Sequence, residues 1–260
     1  MTWVRRLSTL LQALFPPVAL FVVWWIATAH STNIFYPPLE QILHRFRENW
    51  LFARDRRDLE PSVVHFVVGL VIAVVAGVLV GIVLGLSKRA RRNLSPITEF
   101  LRATPFAALV PVGLVLFGPG ATMEISLIAF ASWWPVLLST ADGIRAVDPV
   151  LLDSARVYGV SPMRRIFRVA LPAAAPRVFA GIRIAVAIAI AATVIANMFA
   201  SNAGLGFFVV DAQGRFDVKD TWTGVLIIGI LGLLANGAFL LVERRLLYWY
   251  RGWRASTTAS

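Results

Sequence analysis

The sequence predicts an all-α membrane protein with six transmembrane helices and both termini on one side. Three observations carry that fold class. Of the 260 residues, 58% are hydrophobic and only 15% are charged, and the mean hydropathy of +0.73 exceeds that of a soluble domain. The apolar residues gather into six stretches, each near the ~20 residues that a hydrocarbon core requires. The basic residues gather at the ends of those stretches, a distribution that reports membrane topology.

The first span is expected at Leu11 to Ala29. It follows Arg5 and Arg6 and ends in Ala27-Thr28-Ala29, a pattern a signal peptidase could read, but Trp24-Trp25 near its outer end suit an anchored helix, so it is read as uncleaved. Pro37 to Trp50 reads as an amphipathic helix with Leu39, Ile42, Leu43, Phe46 and Trp50 on one face, expected to lie flat on the outer membrane surface. The remaining spans are expected at Ser62 to Leu86, Ile97 to Phe117, Met123 to Thr140, Val178 to Ala200 and Trp222 to Leu241. Glu99, Arg102, Pro105 and Pro111 interrupt the third. The chain divides accordingly into a first helix (1–36), an external segment (37–60), a core (61–246) containing the loop 142–177, and a tail (247–260).

Orientation follows from Lys and Arg. One side carries Arg5, Arg6, Lys88, Arg89, Arg91, Arg92, Arg145, Arg156, Arg164, Arg165, Arg168, Arg177, Arg244, Arg245, Arg251 and Arg254. The other carries Arg45, Arg47, Arg54, Arg56, Arg57, Arg215 and Lys219, largely offset by Glu40, Glu48, Asp55, Asp58 and Glu60. The bias places both termini in the cytoplasm. The net charge of +11 is therefore topological, and a nucleic-acid partner is excluded.

Chemistry-bearing patterns are few. The sequence has no cysteine, so there are no disulfides and no thiolate metal sites. His30, His44 and His65 lack metal-ligand spacing and are read as interfacial. Only Lys88 and Lys219 are present, after Ser87 and Val218, so the chain holds no Gly-Lys-Ser/Thr phosphate loop and any ATP hydrolysis belongs to another chain. Neither Gly-x-Ser-x-Gly nor His-Glu-x-x-His occurs, against an intramembrane hydrolase. Polar residues within spans are functional candidates by default. Arg102, Glu99, Glu124, Asn197 and Asn236 qualify, and they look scattered rather than gathered in one layer. Arg102 and Asn197 are the candidates for a translocation path, although Arg102 can pair with Glu99 three residues earlier. Gly77, Gly81 and Gly85, four residues apart, form a helix-packing face toward the same chain or a second copy.

The stretch Asp153 to Pro172 is the longest arginine-bearing interval between apolar blocks in the second half. Asp153-Ser154-Ala155 is followed by three residues, Gly159, nine residues, Val169, one residue and Leu171-Pro172. A short helix after Pro149 stops at Gly159, where a left-handed backbone turns the chain. Ser161-Pro162 starts a second helix with Ser161 as its cap. That helix presents Met163, Ile166, Phe167 and Ala170 on one face and ends at Leu171-Pro172.

This spacing resembles the EAA loop of the permease subunits of bacterial ABC importers, with Asp153, Ser154 and Val169 replacing Glu, Ala and Ile. NLSPITEFLRATPFAALVPVGLVLFGPG, LPAAAPRVFAGIRIA and VIANMFASNAGLGFFVVDA look like the nitrate, sulfonate and taurine group, and the likeness runs from about Pro37 to Leu241. The resemblance implies a type I ABC importer transmembrane domain in a bacterial inner membrane. It implies partners: a second permease copy, two cytoplasmic ATPase subunits that hold ATP and Mg, an extracytoplasmic substrate-binding protein, and membrane lipid. This chain itself would hold no cofactor. Asp153, Ser154, Ala155, Arg156, Tyr158, Gly159, Val169, Leu171 and Pro172 would couple to the ATPase. The implied cargo is a small anion such as a sulfonate, taurine or nitrate, with a thiamine-precursor pyrimidine or other small heterocycle as the alternative. The group commonly has an acidic residue where this chain has Asn197. An ATP-independent secondary carrier is the rival mechanism.

Overall fold

The computed structural model describes residues 15–16, 18–50 and 55–250. All regular structure among them is helical. The first expected span lies partly outside the described residues. Its described part contains α1, Val18–Thr28. The tail from 251 to 260 lies outside them as well.

The core is a three-helix layer. α3 (Glu60–Leu86) and α9 (Leu171–Ala200) both pack along α6 (Ala121–Arg145). α3 is apolar all round, and its glycines let α6 come close. A Cβ at Gly81 would lie 2.6 Å from Thr140 Cβ and 2.7 Å from the Leu137 carbonyl oxygen. Gly77 meets Val136 and the Trp133 carbonyl, and Gly85 meets Ile144. This small-residue face therefore packs within the chain, one of the two arrangements that the spacing allowed. α6 is the most buried span, and Phe66, Ile128, Ala131, Val186 and Ala189 form a core shared by all three helices.

Among the described residues, four helices are long and apolar enough to cross a membrane, or five if one bent pair counts as a span. That pair corrects the expected third span at Ile97 to Phe117. α4 (Lys88–Ala103) and the run Phe106–Phe117, which includes α5 (Val110–Phe117), are separate helices bent by 89°. Pro105 holds Thr104 in extended backbone (φ −71°, ψ 122°), as proline does to its predecessor. α4 buries no residue and carries Lys88, Arg89, Arg91 and Arg92 on its first turn and beyond. Those basic residues begin a helix, with Ser87 Oγ accepting the Ala90 N–H, rather than filling a loop.

The amphipathic segment also departs from expectation. α2 (Leu39–Glu48) buries Leu39 and Ile42, and it packs on α11 (Val218–Leu246). Leu39 and Ile42 of its apolar face thus meet protein, whereas Leu43 is exposed. Polar contacts fix it there: Arg45 Nε donates to Asp220 Oδ1 at 2.7 Å, and Asn49 donates to the same oxygen at 2.8 Å. The Asp220 hydrogen bond raises Arg45 above its ordinary pKa, against the opposing effect of desolvation. Trp50 stacks edge-on against Phe208 of α10 (Leu205–Gly214) at 4.9 Å.

Candidate functional site

Two places gather the sequence-derived candidates, one at the arginine-rich end of the bundle and one in its core. At the arginine-rich end, α7 (Pro149–Val157) starts where Asp148 Oδ1 accepts the Val150 N–H at 2.9 Å, with Pro149 at the first position. That is an N-cap with a preorganised φ. It stops in a Schellman turn: the Val160 N–H reaches the Ala155 carbonyl at 3.0 Å, and Gly159 takes φ +69°. Such a turn is the reason for glycine here.

Only one side of α7 is covered. Ala155 is buried, and Leu152 packs on the cluster of Ile144, Val147, Ala170 and Ala174. Val150, Leu151, Val157 and Tyr158 are in the open, the last two at 84% and 86% exposure. Asp153 and Arg156 face each other across 3.8 Å on that surface, and Ser154 is exposed. The motif is therefore split. Asp153, Ser154, Arg156, Tyr158 and Gly159 are outward, whereas Val169, Leu171 and Pro172 sit half-buried where the segment joins α9.

The join corrects one expectation. Leu171-Pro172 does not end a helix. α8 (Pro162–Arg165) runs through a wide turn at Ile166–Ala170 straight into α9, giving a continuous Pro162–Phe199 element. The π-type turn skips the hydrogen bond that Pro172 cannot donate, so the proline is accommodated rather than disruptive. Ser161 caps α8 with its backbone carbonyl, which accepts the Arg165 N–H, and not with its hydroxyl. Of the four residues expected on one face, Ile166 and Ala170 turn inward, whereas Met163 and Phe167 are exposed.

In the core, polar residues that look scattered along the chain converge in one layer. Glu124 of α6 is 1% exposed. Its Oε2 lies 2.8 Å from His65 Nδ1 of α3 and accepts a hydrogen bond from the Asn197 amide of α9. Asn197 Oδ1 accepts from Ser62 Oγ at 2.6 Å, and Ser62 Oγ accepts the Leu205 N–H at 2.8 Å. Asp58 accepts the Gly204 N–H at 3.2 Å. Glu124 Oε1 is buried without a hydrogen-bond partner. His65 is thus a partner inside the bundle rather than an interfacial residue. Serine, histidine and carboxylate meet here, yet the Ser62 hydroxyl is engaged by Asn197 and the Asp58 carbonyl rather than by the imidazole. The nucleophile–base contact of a hydrolase is missing from this set, and the layer works as an interlock of α3, α6, α9 and the α9–α10 turn. Arg102, the other path candidate, is on α4, where its Nε donates to Glu99 at 2.8 Å.

One charged pair is missed by sequence reasoning. Arg183 of α9 and Glu243 of α11 meet at 2.5 Å. Arg183 is embedded in an alanine- and isoleucine-rich run, and its partner is sixty residues away. The signal available in the sequence is a lone arginine inside the fifth span.

Residues 69–248 of this chain match a family model, that of the binding-protein-dependent transport system inner membrane component. The chain belongs to this family. Among relatives, a protein of Bacillus subtilis (strain 168) named for aliphatic sulfonates transport is 30% identical over 242 residues, 92% of this chain and 87% of the relative. The taurine transport system permease protein of Escherichia coli (strain K12) is 33% identical, covering 89% of this chain and 86% of the relative. The bicarbonate transport system permease protein of Synechococcus elongatus is 30% identical, covering 94% and 92%. Among solved structures, an inward-facing MetNI methionine ABC transporter superposes with TM-score 0.64 at 18% identity, over 73% of this chain and 94% of that one. The likeness in structure shows the type I ABC importer permease fold.

Proposed function

We propose that this chain is the membrane-spanning subunit of an ATP-driven importer for a small anion, working by alternating access. Two copies would pair in the membrane, two ATPase subunits with ATP and Mg would bind at the arginine-rich, cytoplasmic end, and a substrate-binding protein would deliver cargo at the other. The observation that carries the reading is α7. A short, doubly capped helix leaves Val150, Leu151, Val157 and Tyr158 uncovered beside an Asp153–Arg156 pair, a surface composed like half of an interface. The continuous Pro162–Phe199 element supplies the mechanical step, because a push on α7 and α8 travels along an unbroken helix into the core.

The relatives' names supply the cargo class. Sulfonates, taurine and bicarbonate share a small anionic head, so a sulfonate or carboxylate-like anion is proposed here. At the other end, a polar groove of about 1000 Å³ between α2 and the α10–α11 turn, lined by His44, Arg45, Arg215, Asp217 and Lys219 among others, supports a place for the binding protein. Proteoliposomes holding the complex purified from native membranes test the reading. Uptake of labelled taurine or bicarbonate should require ATP inside and stop when Mg is chelated. Uptake that persists on an ion gradient without ATP would reject the reading in favour of a secondary carrier.

A further inference from the structure

We propose that Phe216, held in a strained turn at the end opposite the arginines, is the anchor by which the extracytoplasmic binding protein grips this chain. The turn between α10 and α11 is very short. The Phe216 N–H reaches the Gln213 carbonyl at 3.0 Å, and the Asp217 N–H reaches the Ala212 carbonyl at 2.9 Å. This is a Schellman pair, which calls for a left-handed residue at 216. Asp217 at once becomes the cap of α11, its side chain accepting the Asp220 N–H at 3.0 Å. Phe216 accordingly takes φ +56°. The same motif after α7 uses Gly159. Here Gly214 stands two positions too early to serve, and Phe216 alone among the described non-glycine residues has a positive φ. A bulky L-residue in that region is an outlier that costs free energy.

Burial does not offset that cost, because Phe216 is 85% exposed. Strain kept at an exposed aromatic has a use only if a partner takes the ring up. Lipid is not that partner. Arg215 before it and Lys219 after it are exposed, and the charged layer of Arg45, Asp217 and Asp220 stands between the turn and the apolar length of α11. A second copy pairing through the spans would meet the chain on the other side of that layer. The groove beside the turn is walled by Asn33, Glu40, Gln41 and His44, so a polar, wet rim surrounds one rigid apolar group. That is the composition of a binding hot spot. On the importer reading, on which this inference rests, the soluble protein arriving at this end is the binding protein. Its matching surface is an apolar pocket with a carboxylate opposite Lys219. The turn positions Phe216 before contact, so little freedom is lost on docking.

The test uses the full chain in complex with its ATPase, reconstituted in nanodiscs, with the purified binding protein of the same transport system as the probe. Phe216→Gly keeps the turn and removes the ring. Its melting temperature should rise, and its ATPase rate without binding protein should stay unchanged. The concentration of binding protein that gives half-maximal stimulation should increase roughly tenfold or more. Phe216→Trp should dock nearly as the parent does. Because the chain has no cysteine, Phe216→Cys adds a direct reading: a membrane-impermeant maleimide should label it, and saturating binding protein should protect it. A Phe216→Gly complex stimulated at the parent's concentration would overturn the proposal and leave the importer reading intact. So would a lowered melting temperature, because packing or lipid would then hold the ring, and so would a cysteine inert to the maleimide. A parent complex that the binding protein does not stimulate would instead reject the importer reading, and the anchor with it.

Discussion

Replacing Gly159 separates the role of the α7 turn from the stability of the bundle. Gly159 has φ +69°, and a Cβ built there meets nothing within 4 Å. The cost of a side chain is therefore the backbone alone, about 1–2 kcal/mol for an L-residue in the left-handed region, highest for β-branched residues and lowest for Asn. The bundle does not depend on this turn, because α7 contributes only Ala155 and Leu152 to the buried cluster. The strain should be relieved by opening the turn and reorienting the uncovered side of α7. If that geometry is what the ATPase binds, association weakens by about 5- to 30-fold, at a factor of ten per 1.4 kcal/mol. Gly159→Val should insert normally, lose co-purifying ATPase and lose transport-coupled ATP hydrolysis, with Gly159→Ala between it and Gly159→Asn. Affinity pull-down from membranes at matched permease levels reads the order. Equal recovery of the ATPase with Val and Asn would refute the reasoning, because the turn would then have no part in docking.

Other perturbations probe the core. Gly81→Val places its Cβ 2.6 Å from Thr140 Cβ, an overpacked contact that should cost about 1–3 kcal/mol and lower the detergent melting temperature measured by fluorescence-detected chromatography. Asn197→Ala removes the amide donor to Glu124 and the acceptor of Ser62. It should destabilise the same melt by about 1–3 kcal/mol by leaving buried groups unpaired. Arg45→Ala leaves the buried Asp220 with Asn49 and Thr223 nearby but no charge partner. The loss should be about 1–2 kcal/mol, reduced because the guanidinium is partly solvated, and limited proteolysis between α1 and α3 should accelerate.

The capped helix Pro149–Val157 and the glycine stop are legible in the sequence because both depend on residues within about ten positions of each other. Asp148, Pro149 and Gly159 each act on their own backbone, and such effects travel with the sequence. The bend at Thr104-Pro105 is visible there as an interruption but not as an 89° turn, since the angle depends on which neighbours receive each half. Pro172 misleads for the same kind of reason. A proline that stops a helix in isolation is absorbed by the π-type turn at Ile166–Ala170, where the inward-facing Ala170 and Ala174 hold both sides of the joint against α6.

By itself, the sequence determined that this protein lives in a membrane, which end carries the positive charge, and that the segment around Gly159 turns outward between two apolar blocks. Those properties come from local hydropathy, charge and backbone preference, which add up along the chain. Only the tertiary structure decided that Ser62, His65, Glu124 and Asn197 form one layer, that the glycines of α3 face α6, and that Arg183 has Glu243 beside it. The physical reason is distance. Hydrophobic burial is nearly blind to which apolar face meets which, whereas a buried polar group needs one particular partner, and that partner is supplied by another helix far along the chain.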